Sequence, residues 1–352
     1  MQRTWQSGDG SRRSTRFEVG TVQVHPATVL APMEGLTDAA FRSLVRAIGG
    51  CGLVVTELVS AREFIQGTRK ARRAAEIDED ARPVAIQVYG SDPVIVAEAA
   101  RMCEDLGPDI IDLNMGCPSR AVTKRGGGAA LMKDLDRAAA MVRAVRRAIQ
   151  CPLTVKMRLG WDQHHLTAAE LARRCELEGA DAVTVHARTR EEMFGGTAHW
   201  ERIAEVTSAV SIPVVGNGDV TSPQDALEML RLSGATGVMV GRAAVRNPWL
   251  CLQIAQALAG DRPHEPSLEE RRSVLLEHYA RVLARSDHPR GALGQMKRII
   301  GYYTEGIPGI EVLRRQVFHS RSPDEAIALV NRFFDRLTTA GSGASRAGRA
   351  AS

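Results

Sequence analysis

Residues 84–118 read VAIQVYGSDPVIVAEAARMCEDLGPDIIDLNMGCP. The segment opens and closes on short, mostly apolar runs, 84–88 and 110–115, with helical spacing over 92–106 between them. Asp92 suits an N-cap, and Pro93 suits the first helical position, where its missing N–H has no intrahelical partner to lose. The runs do not alternate between apolar and polar, which is how parallel strands buried on both faces read. The segment is therefore one strand–helix–strand unit.

Working outward, six more such runs appear at 29–33, 53–57, 153–158, 182–188, 213–218 and 237–243. Helical spacing fills 134–149, 167–179 and 222–233, with Thr167 and Ser222 as caps and Pro223 at a first helical position. Eight strand–helix alternations predict an α/β chain folded as a (β/α)8 TIM barrel. A doubly wound open sheet would place a G-x-G-x-x-G turn after an early strand. The only glycine cluster, Gly126-Gly127-Gly128, does not directly follow one. Before the first run, residues 17–24 alternate around Gly20, as a hairpin closing the barrel floor would.

The pattern changes after Gly260. Residues 261–266 form a linker, Ser267 caps the next helical segment, and the periodicity stays helical to Leu337, with breaks at 289–291, 306–309 and Pro323. A small C-terminal helical bundle is expected over 263–340, after a barrel over 17–260. Residues 1–16 and 341–352 are expected as disordered tails.

Composition narrows the class. No run of about eighteen apolar residues is present, so no membrane helix is expected. The N-terminus lacks the apolar segment of a signal peptide, so the cytoplasm is the expected compartment. None of the six cysteines stands at C-x-x-C spacing, which points away from a zinc site or redox dithiol. The formal net charge is +5. Residues 17–262 hold 28 basic against 30 acidic residues, so the excess sits in the helical segment and the two tails. That placement suits a partner bearing phosphates.

In such a barrel the catalytic groups stand at the C-terminal ends of strands. The fourth strand ends Asn114-Met115-Gly116-Cys117-Pro118, which puts a thiol on the active face. With an ordinary pKa of about 8.5, Cys117 is either a general acid or, if activated, a nucleophile. Lys124, Arg125 and the three glycines read as a flexible basic loop able to close over a substrate. The fifth strand places Lys156 in the mouth, as a Schiff-base lysine or as a counter-charge to an anion. The sixth supplies His186, and the third ends at Gln87, which suits a structural bond or a ligand contact. Gly216-Asn217-Gly218-Asp219 and Gly241-Arg242 occupy the loops where barrels bind phosphate. A phosphate-bearing cofactor across the mouth is expected, with flavin mononucleotide (FMN) the match, because a cation near its ring favours the reduced, anionic form.

These segments resemble the tRNA-dihydrouridine synthase family, and most closely its bacterial DusB-like branch. The matching residues are Ala31-Pro32-Met33-x-Gly35-x-Thr37-Asp38, Gln87, Asn114 to Pro118, Lys156-x-Arg158, His186-x-Arg188-Thr189, Asn217-Gly218-Asp219, and Gly241-Arg242 with Asn247-Pro248-Trp249. The helical segment resembles the family at Lys297, Tyr302-Tyr303, Gly306-x-Pro308-Gly309 and Leu313-Arg314. Glu34 stands where the family usually has Ala, and Ala187 where Gly is common.

The resemblance implies FMN reduced by NADPH or NADH, hydride delivered to C6 of a tRNA uridine, and Cys117 protonating C5. Pro32, Met33, Glu34, Gln87, Lys156, His186, Asn217, Gly218, Asp219, Gly241 and Arg242 are the implied cofactor contacts. Asn114, Lys124, Arg125, Arg158, Arg188, Lys297, Arg298, Arg314 and Arg315 are the candidates for contacting RNA. The barrel then becomes the FMN-binding catalytic domain and the helical segment the tRNA-binding domain, in a monomer without metal. Two rival readings are an FMN barrel acting on a free pyrimidine, like a dihydroorotate or dihydropyrimidine dehydrogenase, and a catalytically silent RNA-binding protein.

Overall fold

The computed structural model describes residues 15–304 and 306–349. Apart from Thr15 and Arg16, the expected N-terminal tail lies outside the described residues, as do residues 350–352.

Eleven strands are present among the described residues. Strands β1 (Phe17–Val19) and β2 (Val22–Val24) pair antiparallel, as the alternation around Gly20 predicts. The barrel strands come next: β3 (Thr28–Leu30), β4 (Leu53–Val55), β6 (Val84–Tyr89), β7 (Ile110–Met115), β8 (Leu153–Arg158), β9 (Ala182–His186), β10 (Val214–Asn217) and β11 (Gly237–Val240). Each pairs in parallel with its neighbours, and β3–β11 together with β4–β6 close the ring. This is the expected eight-stranded TIM barrel. An unanticipated two-residue strand, β5 (Val59–Ser60), pairs with β6 at the rim.

Several strands end earlier than their apolar runs. Pro32 has no N–H to continue the ladder of β3, and Gly218 and Gly241 begin turns. The residues beyond the last ladder bond build the mouth.

Local sequence sets the helix starts. Asp92 accepts from the amides of Val94 and Ile95, and Ser222 with Asp225 forms a capping box. The segment after β7 is broken into a short helix, Arg120–Thr123, and a 3-10 stretch, Gly128–Lys133, before the long helix Leu135–Ala148.

The hairpin β1–β2 plugs the floor. Phe17, Val19 and Val24 pack in one cluster with Val29, Leu53, Ala85, Ile110, Ala182, Val215 and Met239 from the barrel strands. Four helices, Leu268–Ala284, Pro289–Tyr303, Ile310–His319 and Pro323–Arg349, form the C-terminal bundle. Their apolar faces share a core with the barrel's first helix, Ala39–Ile48, through Phe41, Leu44, Tyr279, Met296 and Tyr303. The Tyr303 hydroxyl bonds His278 Nδ1 at 2.7 Å inside this junction. The bundle is thus packed onto the barrel through a continuous core.

The last helix extends through Arg349, across most of a stretch expected as a disordered tail. Its start is anchored by the buried Ala326, Val330 and Phe334. No helix among the described residues is long and apolar enough to cross a membrane.

Candidate active site

Side chains alternate along each strand, so inward positions recur every second residue. On β7 this gives Ile110 at the floor, Asp112 at mid-depth and Asn114 near the rim. On β8 it gives Thr154, Lys156 and Arg158. The upper half of the barrel interior is therefore polar, and it opens into a cavity of about 640 Å³. Thirteen of the expected site residues line it: Pro32, Met33 and Glu34 from the first loop, Asn114, Cys117, Lys156, Arg158 and His186 from β7 to β9 and the loop after β7, and Asn217, Gly218, Asp219, Gly241 and Arg242 from the last two turns.

Gln87 is not among them. It is fully buried below the cavity wall, where its amide nitrogen donates to Asp112 and its carbonyl accepts from Asn114 Nδ2 at 2.8 Å. These bonds are the structural role expected for it. Asn114 does line the cavity, and its carbonyl accepts from the backbone N–H of Cys117 at 2.8 Å and of Gly116 at 3.2 Å. These bonds orient the reactive loop.

The glycine cluster corrects an expectation. Gly127 and Gly128 are buried, Ala129 N donates to the Cys117 carbonyl at 3.1 Å, and a Cβ at Gly128 would lie 2.7 Å from that carbonyl. The segment packs against Cys117 as a fixed support, because only glycine permits this approach with a positive φ. Lys124 and Arg125 stay exposed beside it. Burial raises the Cys117 pKa, against lowering by a bond from Ser119 and by Arg158, so the group is a thiol at neutral pH.

The lining beside this thiol is cationic. Lys156 Nζ donates to Asn217 Oδ1 at 3.1 Å, and burial, aided by Arg158, brings its pKa down to about 8. His186 is held well below its usual range by burial first and then by Lys156, Arg158, Arg188 and Arg242, so it is neutral. Arg242 stands over the ring of Phe194, 5.0 Å from its centroid, and Arg158 lies 5.3 Å away on the same ring. Phe194 also lines the cavity, and sequence reasoning misses it, because an aromatic in a loop carries no strand-end signal. Gly241 faces open cavity, with no atom nearer than 3.8 Å to an added Cβ, and the short helix it precedes has no side-chain cap. A cationic wall and uncapped amides fit an anionic, phosphate-bearing group.

Two candidates for RNA contact also act as internal clamps. Arg188 is 1% exposed and grips both oxygens of Asp219 at 2.8 and 2.6 Å, together with the carbonyls of Gly195 and Gly196. The Asp219 carboxylate, which also accepts from Ala198 N, is thereby engaged by the protein. Arg158 donates to the carbonyls of Gly116, Thr189 and Met193, tying the Cys117 loop to the loop that carries Phe194. Buried guanidinium groups need such acceptors, and Arg158 lines the cavity as well.

At the rim, Glu34 pairs with Lys70 at 2.7 Å, and Glu57, whose pKa burial raises, accepts from Gly35 N. Arg298 of the bundle reaches to 3.9 Å from where a Cβ on Gly35 would stand, which brings one bundle cation to the mouth. Arg314 is tied to Glu311, Thr304 and the Gly301 carbonyl, while Arg315 is exposed. Lys297 Nζ lies 5.8 Å from the ring centroid of Phe318.

Comparison with known proteins places the chain. The family profile described as dihydrouridine synthase (Dus) matches residues 29–338. A probable tRNA-dihydrouridine synthase of Rickettsia bellii is 41% identical over 303 residues, covering 86% of this chain and 92% of that protein. The tRNA-dihydrouridine synthase B of Pseudomonas aeruginosa is 36% identical, covering 92% and 99% respectively. Among solved structures, histamine dehydrogenase from Rhizobium sp. 4-9 superposes with a TM-score of 0.53 at 16% identity, covering 77% of this chain and 51% of that one, a likeness of fold alone.

Proposed function

The chain belongs to the dihydrouridine synthase family, and on that premise we propose that it reduces the C5–C6 double bond of a uridine in tRNA, in the D-loop, to 5,6-dihydrouridine. The observation that carries the reading is one cavity holding both a protonated thiol, Cys117, and a cationic wall of Lys156 and Arg242.

FMN fits that wall and, when bound, supplies hydride to C6, with NADPH or NADH as the source of electrons. Lys156 would supply counter-charge to its ring, and the Gly241–Arg242 turn and Gly218 would hold its phosphate. Pro32 and Met33 would add contacts from the first loop, and neutral His186 would offer a hydrogen bond without adding charge. The Schiff-base alternative for Lys156 is not needed.

Cys117 completes the chemistry. Hydride arrival at C6 builds negative charge at C5 and O4, and the S–H proton passes to C5. The products are two new C–H bonds and a thiolate, which solvent reprotonates. A thiol whose pKa is raised remains protonated until that moment.

A uridine inside folded tRNA must be extruded to reach a barrel mouth. Arg298, Lys297, Arg315, Lys124 and Arg125 hold the backbone, by charge and shape. The bundle over 263–340 is the tRNA-binding part in this reading, and the core that it shares with the barrel supports one fixed approach for the RNA.

The test is to map dihydrouridine in tRNA from cells with and without the gene, beside the absorbance spectrum of the purified protein. Loss of D-loop dihydrouridine and flavin bands are the expected results. Turnover of free uracil or orotate without RNA would replace this reading with the free-pyrimidine one. A colourless protein that binds tRNA would replace it with the silent RNA-binding one.

A further inference from the structure

We propose that Asp112 is a positioning residue for Cys117: it fixes the orientation of two buried amides in series, Gln87 and Asn114, and through them the backbone of the reactive loop. The functional consequence rests on the reading of Cys117 as proton donor; the structural device does not.

The chain of bonds is fixed at its two ends. At one end, the Asp112 carboxyl group accepts on both oxygens, while burial raises its pKa. Asp112 takes Thr154 Oγ1 on one oxygen and Gln87 Nε2 on the other, each at 2.5 Å. At the other end, the backbone N–H groups of Gly116 and Cys117 can only donate, and both converge on Asn114 Oδ1. Between them stand two side-chain amides, each of which could in principle face either way.

The ends leave one consistent arrangement. With its NH2 turned to Asp112, Gln87 must present its carbonyl to Asn114. Asn114 must then give its NH2 to Gln87, which leaves its carbonyl facing the loop. Flipping Gln87 alone sets its carbonyl against a carboxylate and its NH2 against the NH2 of Asn114. Flipping Asn114 alone turns its NH2 on the two loop amides. Gln87 is 0% exposed, Asp112 4% and Asn114 6%, so solvent is poorly placed to repair a broken link. Cys117 is held on its carbonyl side as well, by Ala129 N.

A carboxylate two positions before Asn114 on the same strand therefore reads out at the thiol. An amide in its place retains an acceptor for Gln87 and can donate to Thr154 Oγ1, so Asp112→Asn preserves the order. Asp112→Val removes both acceptors. Gln87→Met cuts the chain at its centre with nearly conserved volume.

The experiment is peptide-resolved amide hydrogen exchange on the isolated full-length protein, with the alkylation rate of Cys117 by iodoacetamide measured by mass spectrometry. Neither readout needs tRNA or turnover, so both stand apart from whether the uridine reading is right. Exchange in the peptide carrying Gly116 and Cys117 is expected to rise about tenfold or more in Asp112→Val and Gln87→Met, with faster alkylation, while Asp112→Asn stays near wild type. If Asp112→Val does not fold, Gln87→Met decides. Wild-type protection in Gln87→Met, or Asp112→Asn exchanging as fast as Asp112→Val, would overturn the proposal.

Discussion

The floor and the mouth of this barrel are built from the same strands and differ completely in what holds them. On β7, Ile110 packs into the floor with Phe17, Ala182 and Met239, while Asp112 and Asn114, two and four residues on, belong to the polar upper layer. The floor is stabilised by removing apolar surface from water, an effect that tolerates approximate shapes. The mouth is stabilised only when each buried donor meets its acceptor, so its groups stand or fall together. Damage to the floor should therefore appear as lost stability, and damage to the mouth as lost chemistry in a folded protein.

The largest expected effect lies in the mouth. Cys117→Ala should lower uridine reduction by about 10²- to 10⁴-fold, while NADPH oxidation and the melting temperature stay close to wild type. Dihydrouridine counted by mass spectrometry beside NADPH absorbance checks this, and an unchanged rate would remove Cys117 as the acid. Next comes the floor. Phe17→Ala empties a buried aromatic site and should cost about 3 kcal/mol, read by denaturant unfolding, with flavin affinity preserved. Weakened flavin binding at full stability would erase the distinction between the two layers.

A smaller effect comes from pH. Lys156 titrates near 8, so its charge is present below that value and is lost as pH rises through it. Flavin affinity should fall several-fold between about pH 7 and pH 9 in titrations followed by fluorescence, and Lys156→Met should flatten the profile. The smallest effect belongs to the rim. Glu34→Ala breaks an exposed pair with Lys70 and should change stability by less than about 1 kcal/mol in thermal melts. A larger loss would mean that the first loop depends on this pair.

Much of this architecture is legible in the chain's periodicity. The apolar runs mark all eight barrel strands, and the alternation at 17–24 marks the floor hairpin. The strand-end rule brings Cys117, Lys156, His186 and Arg242 to one cavity. What the sequence leaves open shares a cause. Arg158, Arg188 and Gln87 are polar residues near strand ends, and sequence does not show the internal bonds that each makes. Phe194 and the supporting glycines lie in loops, where no periodicity reports direction.

The sequence by itself determined the barrel, the position of the thiol and the cationic character of the mouth, because these derive from local periodicity and from the rule that strand ends form the site. The tertiary structure decided which polar groups are free. That depends on contacts between residues 25 to 42 positions apart, such as Gln87 with Asp112, Thr154 with Asp112, and Arg188 with Asp219. Hydrogen bonds are short-ranged and directional, so pairing at such separations is set only when the strands are brought side by side.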